Sequence, residues 1–186
     1  MNEVTFIGTS DAFGAGGRRQ SASLVRGDRG ALLLDCGATT NTGLAELGIE
    51  REEIDSILIS HFHGDHFGGI PLFLFACLYE DQRTRPIEIA GPPEIEDRVR
   101  ALAQAMGHAL EDRDWTFPIR FRELPPGMEH EVGPARVHAF ETRHQLEAPF
   151  ELGPVNFVPF VMGEAAYWEE GINDDQIDRY VGRGGI

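Results

Sequence analysis

The sequence predicts an α/β fold within one domain, and three observations support this prediction. Short apolar segments of β-strand character alternate with helical segments from the N-terminus to about residue 124. The length of 186 residues is sufficient for one domain with a well-packed core. The apolar strand Ile57–Ile59 also runs directly into a polar loop rich in histidine, and loops at strand ends commonly carry the functional site in layered α/β folds.

The first part of the chain is predicted as strands, with one long loop and one helix. Val4–Ile7 is apolar and predicts a strand, and the polar, glycine-rich segment Thr9–Gln20 that follows it predicts a loop. We call Thr9–Gln20 the glycine-rich loop. Ser21–Val25 and Ala31–Leu34 flank a turn that contains glycine and so predict a hairpin. Thr39–Leu47 is predicted as a short helix that a glycine ends.

Two arginines follow the glycines of the glycine-rich loop. Arg18 and Arg19 either steer an anion into a cleft or are simply solvated, and solvation is the simpler interpretation. The glycine spacing does not match the fingerprint of a dinucleotide-binding loop.

The middle of the chain alternates between strands and helices. Ile54–Ser60 is predicted as the strand that precedes the histidine-rich loop. A helix is expected to begin near Ile70, because Pro71 is tolerated in a first turn, and its nearly continuous apolar residues predict burial on most sides. Pro86–Ala90 predicts the next strand, an amphipathic helix follows over Glu94–Met106, and Phe117–Leu124 is a further strand.

The last part of the chain gives weaker signals. Arg136–Glu141 is predicted as a strand that ends at Thr142–His144. Val155–Val161 is apolar but contains a proline, which favours an edge strand. Within Glu164–Val181, the acidic segment Asn173–Asp175 could cap a short final helix.

The histidine-rich loop has the composition of a metal site. It contains His61, His63, Asp65 and His66, and Zn²⁺ prefers imidazole nitrogen and carboxylate oxygen as ligands. Residues two apart on an extended segment can point the same way, and Gly64 allows the chain to turn the next two side chains toward the same point. Merely solvated histidines are the alternative, but three of the seven histidines in the chain are concentrated here beside a carboxylate.

Residues outside this loop are candidates to complete the site. His144 stands at the predicted exit of its strand and is the first choice as a remote ligand, with His138 as the second. Asp35 ends a buried strand, so it is either the carboxylate partner of a metal-bound histidine or an ordinary turn residue. Nothing places Cys36 beside a base, and it is predicted to pack in the core.

Composition excludes several classes of function. A net charge of −15 argues against an extended nucleic-acid-binding surface. The chain contains no lysine, which excludes Schiff-base chemistry and a P-loop. Two cysteines, no signal-peptide pattern and no apolar run longer than Ile70–Tyr79 lead to the expectation of a cytoplasmic protein without a membrane span.

The pattern His61-x-His63-x-Asp65-His66 after an apolar strand resembles the signature of the metallo-β-lactamase fold. The surrounding S-H-F-H-G-D-H-F-G-G-I-P is most similar to the ribonuclease Z and phosphodiesterase-type branch of that family. F-I-G-T-S, L-L-L-D-C-G and the segment Phe140–His144 resemble other parts of the same branch. The resemblance covers residues 1–149 of the predicted single domain (residues 1–186), and residues 150–186 are an atypical C-terminal segment.

The resemblance implies an αβ/βα sandwich with a two-zinc site at the edge of the sheets. His61, His63 and His144 would hold the first metal ion, and Asp65 and His66 would begin the second. Zinc is the expected cofactor, as one or two ions, with Mn²⁺ and Fe²⁺ as alternatives.

The sequence departs from the family pattern in its C-terminal part. No histidine follows His144, and no strand is followed by the turn that normally carries a bridging aspartate. Asp174 and Asp175 are the nearest acidic substitutes, although helix capping explains them better. Either the second half of the sandwich is shortened or interrupted, or a partner chain, as in a homodimer, supplies the missing ligands.

Two functions from different classes follow from these residues. The first is a metal-dependent hydrolase in which a zinc-activated hydroxide attacks a phosphodiester or a related ester, with Asp65 as the catalytic residue that orients the hydroxide. Its substrate would be a small molecule or a phosphodiester. The second is a truncated or degenerate family member that binds metal without catalysis.

Overall fold

A computed structural model describes the backbone of residues 3–147, 150–152, 155–157 and 160–169, and the side chains of residues 3–140. The described residues alternate between strands and helices, so the predicted α/β class is confirmed. The elements are, in chain order, β1 (Glu3–Gly8), β2 (Ala22–Gly27), β3 (Gly30–Leu34), α1 (Thr40–Glu46), β4 (Ser56–Leu58), α2 (Gly64–Phe67), α3 (Ile70–Tyr79), β5 (Ile87–Gly91), α4 (Ile95–Ala105), β6 (Ile119–Glu123), β7 (Glu129–Val132), β8 (Ala135–Glu147), β9 (Phe150–Leu152), β10 (Val155–Phe157) and β11 (Phe160–Glu169). Short 3₁₀ turns lie at Ala15–Gly17, Arg51–Glu53 and Leu110–Asp112.

The main sheet has six strands in the order β1-β2-β3-β4-β5-β6. β2 is antiparallel to both β1 and β3, whereas β3, β4, β5 and β6 are parallel to one another. β1 therefore runs in the same direction as β3 to β6. The carboxyl ends of all five parallel strands meet at one edge of the sheet, which is where α/β folds usually build their sites.

Both faces of the central strands of this sheet are buried, and successive residues of a strand point to opposite faces. On one face, Leu33 and Ile57 belong to an apolar core that also contains the buried side chains of α3 and α4. On the other face, Leu32 and Leu58 pack in a second core with Val137 and other residues of β7 and β8. These two strands lie in a second sheet of order β11-β8-β7. The described residues thus form a layer of helices, the main sheet and a smaller sheet.

Helices α1, α3 and α4 agree with the sequence-based predictions in type and approximate bounds. α3 begins at Ile70 with Pro71 in its first turn, and seven of its ten residues are buried. α4 is amphipathic and buries Ile95, Val99 and Ala103, which are spaced four residues apart. No described helix combines the length and apolar character needed to cross a bilayer.

Three predictions need correction. β8 continues to Glu147, so His144 lies inside this strand rather than at its exit. Pairing with β11 explains the extension, since Gly163 of β11 lies opposite Arg143. The residues from Glu164 to Glu169, at the start of the segment considered for a final helix, belong to β11. The histidine-rich loop was predicted as an extended segment with a turn at Gly64, but the chain forms the one-turn helix α2 from Gly64 onward.

One buried side chain connects two segments at the opposite end of the parallel strands. The guanidinium of Arg83 is fully buried and donates four hydrogen bonds to backbone carbonyl oxygens. The acceptors are Arg51 at 3.1 Å, Ile54 and Pro86 at 2.9 Å, and Arg85 at 2.8 Å. Arg83 therefore fixes the segments that lead into β4 and β5.

Candidate metal centre

The four polar residues of the histidine-rich loop follow β4 and lie at the carboxyl edge of the main sheet. His61 and His63 belong to the segment between β4 and α2, and Asp65 and His66 lie within α2. The ring centroid of His61 is 4.6 Å from that of His63 and 4.1 Å from that of His66. The structure therefore brings the three predicted histidine side chains of this loop together.

Asp35 is the carboxylate that supports this cluster. It follows β3 with φ +60°, a left-handed conformation that aspartate tolerates better than most residues. Its Oδ1 atom accepts a hydrogen bond from the backbone N–H of Ser60 at 2.8 Å, and its Oδ2 atom accepts one from the Ser60 hydroxyl at 3.0 Å. His66 Nδ1 lies 2.7 Å from the same Oδ2 atom. The predicted contact between Asp35 and a histidine of the loop is present.

These hydrogen bonds determine which ring nitrogen each histidine presents. The carboxylate can only accept, so Ser60 gives its single hydroxyl proton to Asp35 and accepts from His61 Nδ1, which is 3.0 Å from Ser60 Oγ. His66 also donates from Nδ1 to Asp35. In both neutral imidazoles the lone pair is therefore on Nε2, the arrangement typical of metal-bound histidine. Ser60 could not be recognised from the sequence, since its partner Asp35 is 25 residues away in the chain.

The contact between Asp65 and His66 fits a bound cation. Asp65 Oδ2 lies 3.2 Å from His66 Nε2, so a carboxylate faces the ring nitrogen that carries the lone pair in the neutral form. A proton or a metal ion between the two atoms is needed to make this contact favourable. Two ligands at ~2.1 Å from one tetrahedral Zn²⁺ ion are separated by about 3.4 Å, close to the observed distance.

The same carboxylates raise the pKa of His66 above its usual value. The largest cause is the hydrogen bond from His66 to Asp35, which partial burial opposes, and the charges of Asp35 and Asp65 act in the same direction as the hydrogen bond. Both carboxylates thus favour positive charge at this position, whether it is carried by a proton or by a metal ion.

The backbone of the loop is held against the segment that follows β3. The N–H of Cys36 donates to the carbonyl of His66 at 2.6 Å, and the N–H of Gly69 donates to the carbonyl of Cys36 at 2.8 Å. A methyl group added to Gly37 would lie 2.0 Å from the carbonyl oxygen of Asp65. Only glycine leaves room for this approach, so Gly37 allows helix α2, which carries Asp65 and His66, to pack against the segment after β3.

The remaining candidate residues do not complete the site within the described side chains. Among residues 3–140, no three histidine, cysteine, aspartate or glutamate side chains converge on one point as a full set of metal ligands. The side chain of His144, and Asp174 and Asp175 altogether, lie outside the described residues. His138 is exposed on β8. The complete ligand set remains a prediction.

The two cysteines are unsuited to nucleophilic catalysis. Cys36 and Cys77 are both buried free thiols. Burial raises the pKa of Cys77 to about 12 and that of Cys36 further still, so both remain protonated at neutral pH. This agrees with the prediction that Cys36 is a packing residue.

The fold and the histidine cluster define the class of protein. The chain has the metallo-β-lactamase fold. It is similar to ribonuclease Z and to zinc phosphodiesterase ELAC protein 1. More particularly, the chain belongs to the family described as Anti-Pycsar protein Apyc1, whose model matches residues 2–158.

Curated relatives match the same part of the chain. Ribonuclease Z of Halorubrum lacusprofundi is 36% identical over 146 residues, which are 78% of this chain and 45% of that protein. Zinc phosphodiesterase ELAC protein 1 of Mus musculus is 33% identical over 127 residues, which are 67% of this chain and 34% of that protein. The chain thus spans less than half the length of these relatives.

Solved structures support the fold assignment. The human short-form tRNase Z, ELAC1, superposes with a TM-score of 0.60 at 28% identity, covering 76% of this chain and 59% of that chain. The metallo-β-lactamase-fold protein YhfI of Bacillus subtilis superposes with a TM-score of 0.59 at 21% identity, covering 84% of this chain and 60% of that chain. The second likeness shows the fold alone.

Proposed function

We propose that this protein is a metal-dependent hydrolase that acts on a phosphodiester or a related ester. The observation that supports the proposal is the 3.2 Å contact between Asp65 Oδ2 and His66 Nε2, in a loop where Asp35 already directs the lone pair of His66 toward Asp65. This arrangement provides two ligands for one cation without a change in the backbone. The names of the relatives point to the same chemistry, since they include a ribonuclease and a zinc phosphodiesterase.

The residues divide into two sets of metal ligands. His61, His63 and His144 would hold one ion, and Asp65 and His66 would hold a second. Zn²⁺ suits these nitrogen and carboxylate ligands, and Mn²⁺ and Fe²⁺ are alternatives. A bound Zn²⁺ ion lowers the pKa of a coordinated water to about 7 and so supplies hydroxide at neutral pH.

The chain itself would orient the reactants. Asp65 would accept a hydrogen bond from the attacking water and hold it in line with the phosphorus atom of the substrate. Asp35 would keep His66 and, through the Ser60 hydroxyl, His61 in the tautomer that presents Nε2. The net charge of −15 favours a small phosphodiester over a long nucleic acid, which would need a basic docking surface.

A second candidate is a metal-binding protein without catalytic activity. The observation that favours it is the absence of a full ligand set among the described side chains of residues 3–140. A partner chain, as in a homodimer, would provide the missing ligands under the first proposal but is not needed under the second. Under both candidates we place the protein in the cytoplasm, a reducing setting that suits the two buried free thiols.

Metal analysis combined with a turnover assay separates these functions. The wild-type chain, dialysed against Zn²⁺ and freed of excess ion, is analysed for metal content and assayed with bis-(p-nitrophenyl) phosphate. His63→Ala removes a proposed ligand, and His108→Ala removes an exposed histidine outside the cluster as a matched control.

The hydrolase proposal expects at least one ion per chain in the wild type, together with turnover. His63→Ala should lose metal and reduce kcat/KM by at least about 100-fold, and His108→Ala should match the wild type. Stoichiometric metal without turnover would support the non-catalytic alternative. Turnover that persists in His63→Ala, or a wild-type chain that binds no metal, would contradict the proposed hydrolase site.

A further inference from the structure

Phe62 lies between two proposed ligands in the chain and points away from them. The segment of residues 61–63 leads into α2, and its last residue, His63, has an extended backbone with φ −75° and ψ 145°. Successive side chains of an extended segment point to opposite sides, and the ring centroids of His61 and His63 are only 4.6 Å apart. Phe62 points to the other side, where it packs against the apolar core between the main sheet and the helices.

Phe62 contacts Phe67, the last residue of α2. The two ring centroids are 5.6 Å apart and the ring planes meet at 70°, the edge-to-face arrangement that aromatic pairs favour. Phe67 packs against the same core. The guanidinium carbon of Arg98, on α4, lies 5.6 Å from the centre of the Phe62 ring, but the Arg98 side chain is 55% exposed, so water weakens this contact. Phe62 is thus held mainly by the core and by Phe67.

The positions of the two rings match a hydrophobic staple. His63 is the N-cap residue of α2, so Phe62 immediately precedes the N-cap and Phe67 is the fourth residue of the helix. An apolar pair at these two positions fixes the angle at which the chain enters a helix. Among the described residues, no side chain forms a capping hydrogen bond at this helix start. The staple is therefore the side-chain contact that defines how α2 begins.

The corner that the staple spans is Gly64. The residue is exposed, and a methyl group added to it would have no described atom within 4 Å. The N–H groups of His66 and Phe67 donate to the carbonyl of His63 at 2.9 Å and 3.1 Å and so form the helical turn. Packing on the glycine itself does not restrict the backbone at this corner, and glycine has the widest choice of conformations. The contact between Phe62 and Phe67 restricts it instead.

The angle at Gly64 is also the angle between the two proposed ligand sets. His61 and His63 lie before the corner, whereas Asp65 and His66 lie after it. A different angle would move the second pair of side chains relative to the first. Metal sites need their ligands held to within about 0.5 Å, so a loose corner would lower affinity even if every ligand were present.

We infer that the hydrophobic staple of Phe62 and Phe67 positions the two ligand sets relative to each other. Both rings lie on the core side of the loop, so they act through the ligands and are positioning residues. Asp35 determines which nitrogen His61 and His66 present, and the staple determines the angle between the sets. This inference rests on the proposed function, because it concerns the same metal centre.

Phe62→Ala opens the staple, and Phe121→Ala is a matched control. Phe121, on β6, is half-buried like Phe62, packs against the same core and lies 5.6 Å from the guanidinium carbon of Arg100 on α4. Both variants should lower the thermal midpoint by similar amounts. Only Phe62→Ala should lower the Zn²⁺ affinity, by about tenfold, as measured by competition with a chromophoric chelator.

Phe67→Ala removes the other half of the staple and is a second variant with the same expected loss of Zn²⁺ affinity. The double variant Phe62→Ala/Phe67→Ala should lose no more affinity than either single variant, because the two rings act as one unit. Phe62→Leu keeps an apolar side chain before the N-cap and should retain the affinity within about twofold.

Co²⁺ in place of Zn²⁺ reports the ligand geometry without turnover. The intensity of its visible absorption bands depends on the number and arrangement of the ligands. At full occupancy, Phe62→Ala and Phe67→Ala should alter the intensity of these bands, whereas Phe121→Ala should match the wild type. A loss of stability alone would not change the spectrum of the folded, loaded chain.

Failure of this inference differs from failure of the proposed function. Wild-type affinity in Phe62→Ala and Phe67→Ala, an equal loss in Phe121→Ala, or additive losses in the double variant would overturn the staple as a positioning device. If the wild type binds Zn²⁺ and loses affinity in Phe62→Ala but does not hydrolyse bis-(p-nitrophenyl) phosphate, the hydrolase proposal fails while the staple stands. A wild-type chain that binds no metal would overturn both.

Discussion

At the scale of single residues, Asp35 has the widest influence on the candidate site. Its carboxylate accepts two hydrogen bonds from Ser60, shortly after β4. It orients His66 directly and His61 through the Ser60 hydroxyl. The left-handed φ of +60° at Asp35 is an unfavourable backbone conformation for most residues. The three hydrogen bonds that the side chain accepts offset this cost, since two of them satisfy polar groups in a partly buried loop.

Replacement of Asp35 by asparagine should lower the metal affinity of the chain and leave the chain folded. Asp35→Asn keeps the size of the side chain but loses the charge and one acceptor, so we expect zinc affinity to fall about 10- to 100-fold. Competition with a chromophoric chelator measures this affinity. Asp112→Asn alters an exposed aspartate away from the site and should have no effect. Unchanged affinity in Asp35→Asn would show that Asp35 is only a turn residue.

The sequence indicated the candidate ligands of the site better than the residues that position them. His61, His63, Asp65 and His66 are adjacent in the chain, so ligand type and spacing were visible in one motif. Contacts between residues distant in the chain leave no such signal. For Asp35 the sequence left two roles open, that of a partner of a metal-bound histidine and that of an ordinary turn residue. Ser60 had no predicted role, because its partners become visible only when the strand ends come together.

At the scale of secondary-structure elements, the buried Arg83 determines how β4 and β5 begin. Its planar guanidinium donates to four carbonyl groups of the segments before these strands. Backbone carbonyls at strand starts have no partner in the sheet ladder, so an interior donor is needed where water is excluded. The histidine-rich loop follows β4, so the position of this loop depends on Arg83, which lies at the other end of the strand.

Arg83→Met should destabilise the chain strongly. The methionine fills part of the space but leaves buried carbonyl groups without donors, so we expect the free energy of unfolding to fall by about 3 kcal/mol or more. Urea denaturation followed by circular dichroism measures the change. Arg98→Met removes an exposed arginine of α4 that pairs with Glu94 one helical turn away, and it should cost less than about 0.5 kcal/mol. Equal losses in the two variants would contradict the role of Arg83.

Element types were easier to predict than element ends. Apolar segments identified β1 to β6, terminating residues identified α1, a first-turn proline before an apolar run identified α3, and amphipathic spacing identified α4. β8 was predicted too short because Thr142 to His144 are polar, whereas pairing with β11 extends the strand regardless of side-chain polarity. α2 was missed because one helical turn containing glycine has almost no intrinsic helix signal. The part of β11 from Glu164 to Glu169 was missed because the residues with which it pairs in β8 are distant in the sequence.

At the scale of the whole molecule, metal binding should appear as thermal stabilisation. An ion that binds only the folded chain, at a concentration 100 times its Kd, adds about 2.7 kcal/mol to the free energy of unfolding. For a chain of this length the midpoint should rise by about 5–10 °C. Differential scanning calorimetry with and without Zn²⁺ measures the shift.

Two comparisons make this prediction specific. Mg²⁺ should produce little shift, because it prefers an octahedral shell of oxygen ligands. His63→Ala should lose most of the Zn²⁺ effect. A zinc-dependent shift of the same size in His63→Ala would place the ion elsewhere on the molecule.

The hydrogen bonds that join Cys36 to His66 and to Gly69 have a consequence for the speed of metal exchange. They are made by the backbone alone, so their formation does not require contacts with an ion. The backbone that carries the proposed ligands is therefore ordered before an ion binds. Binding would not have to pay for the folding of a segment around the ion. Uptake would be governed by the loss of water from the ion, and the protein would exchange metal as a rigid receptor does, without the coupled folding of a zinc finger.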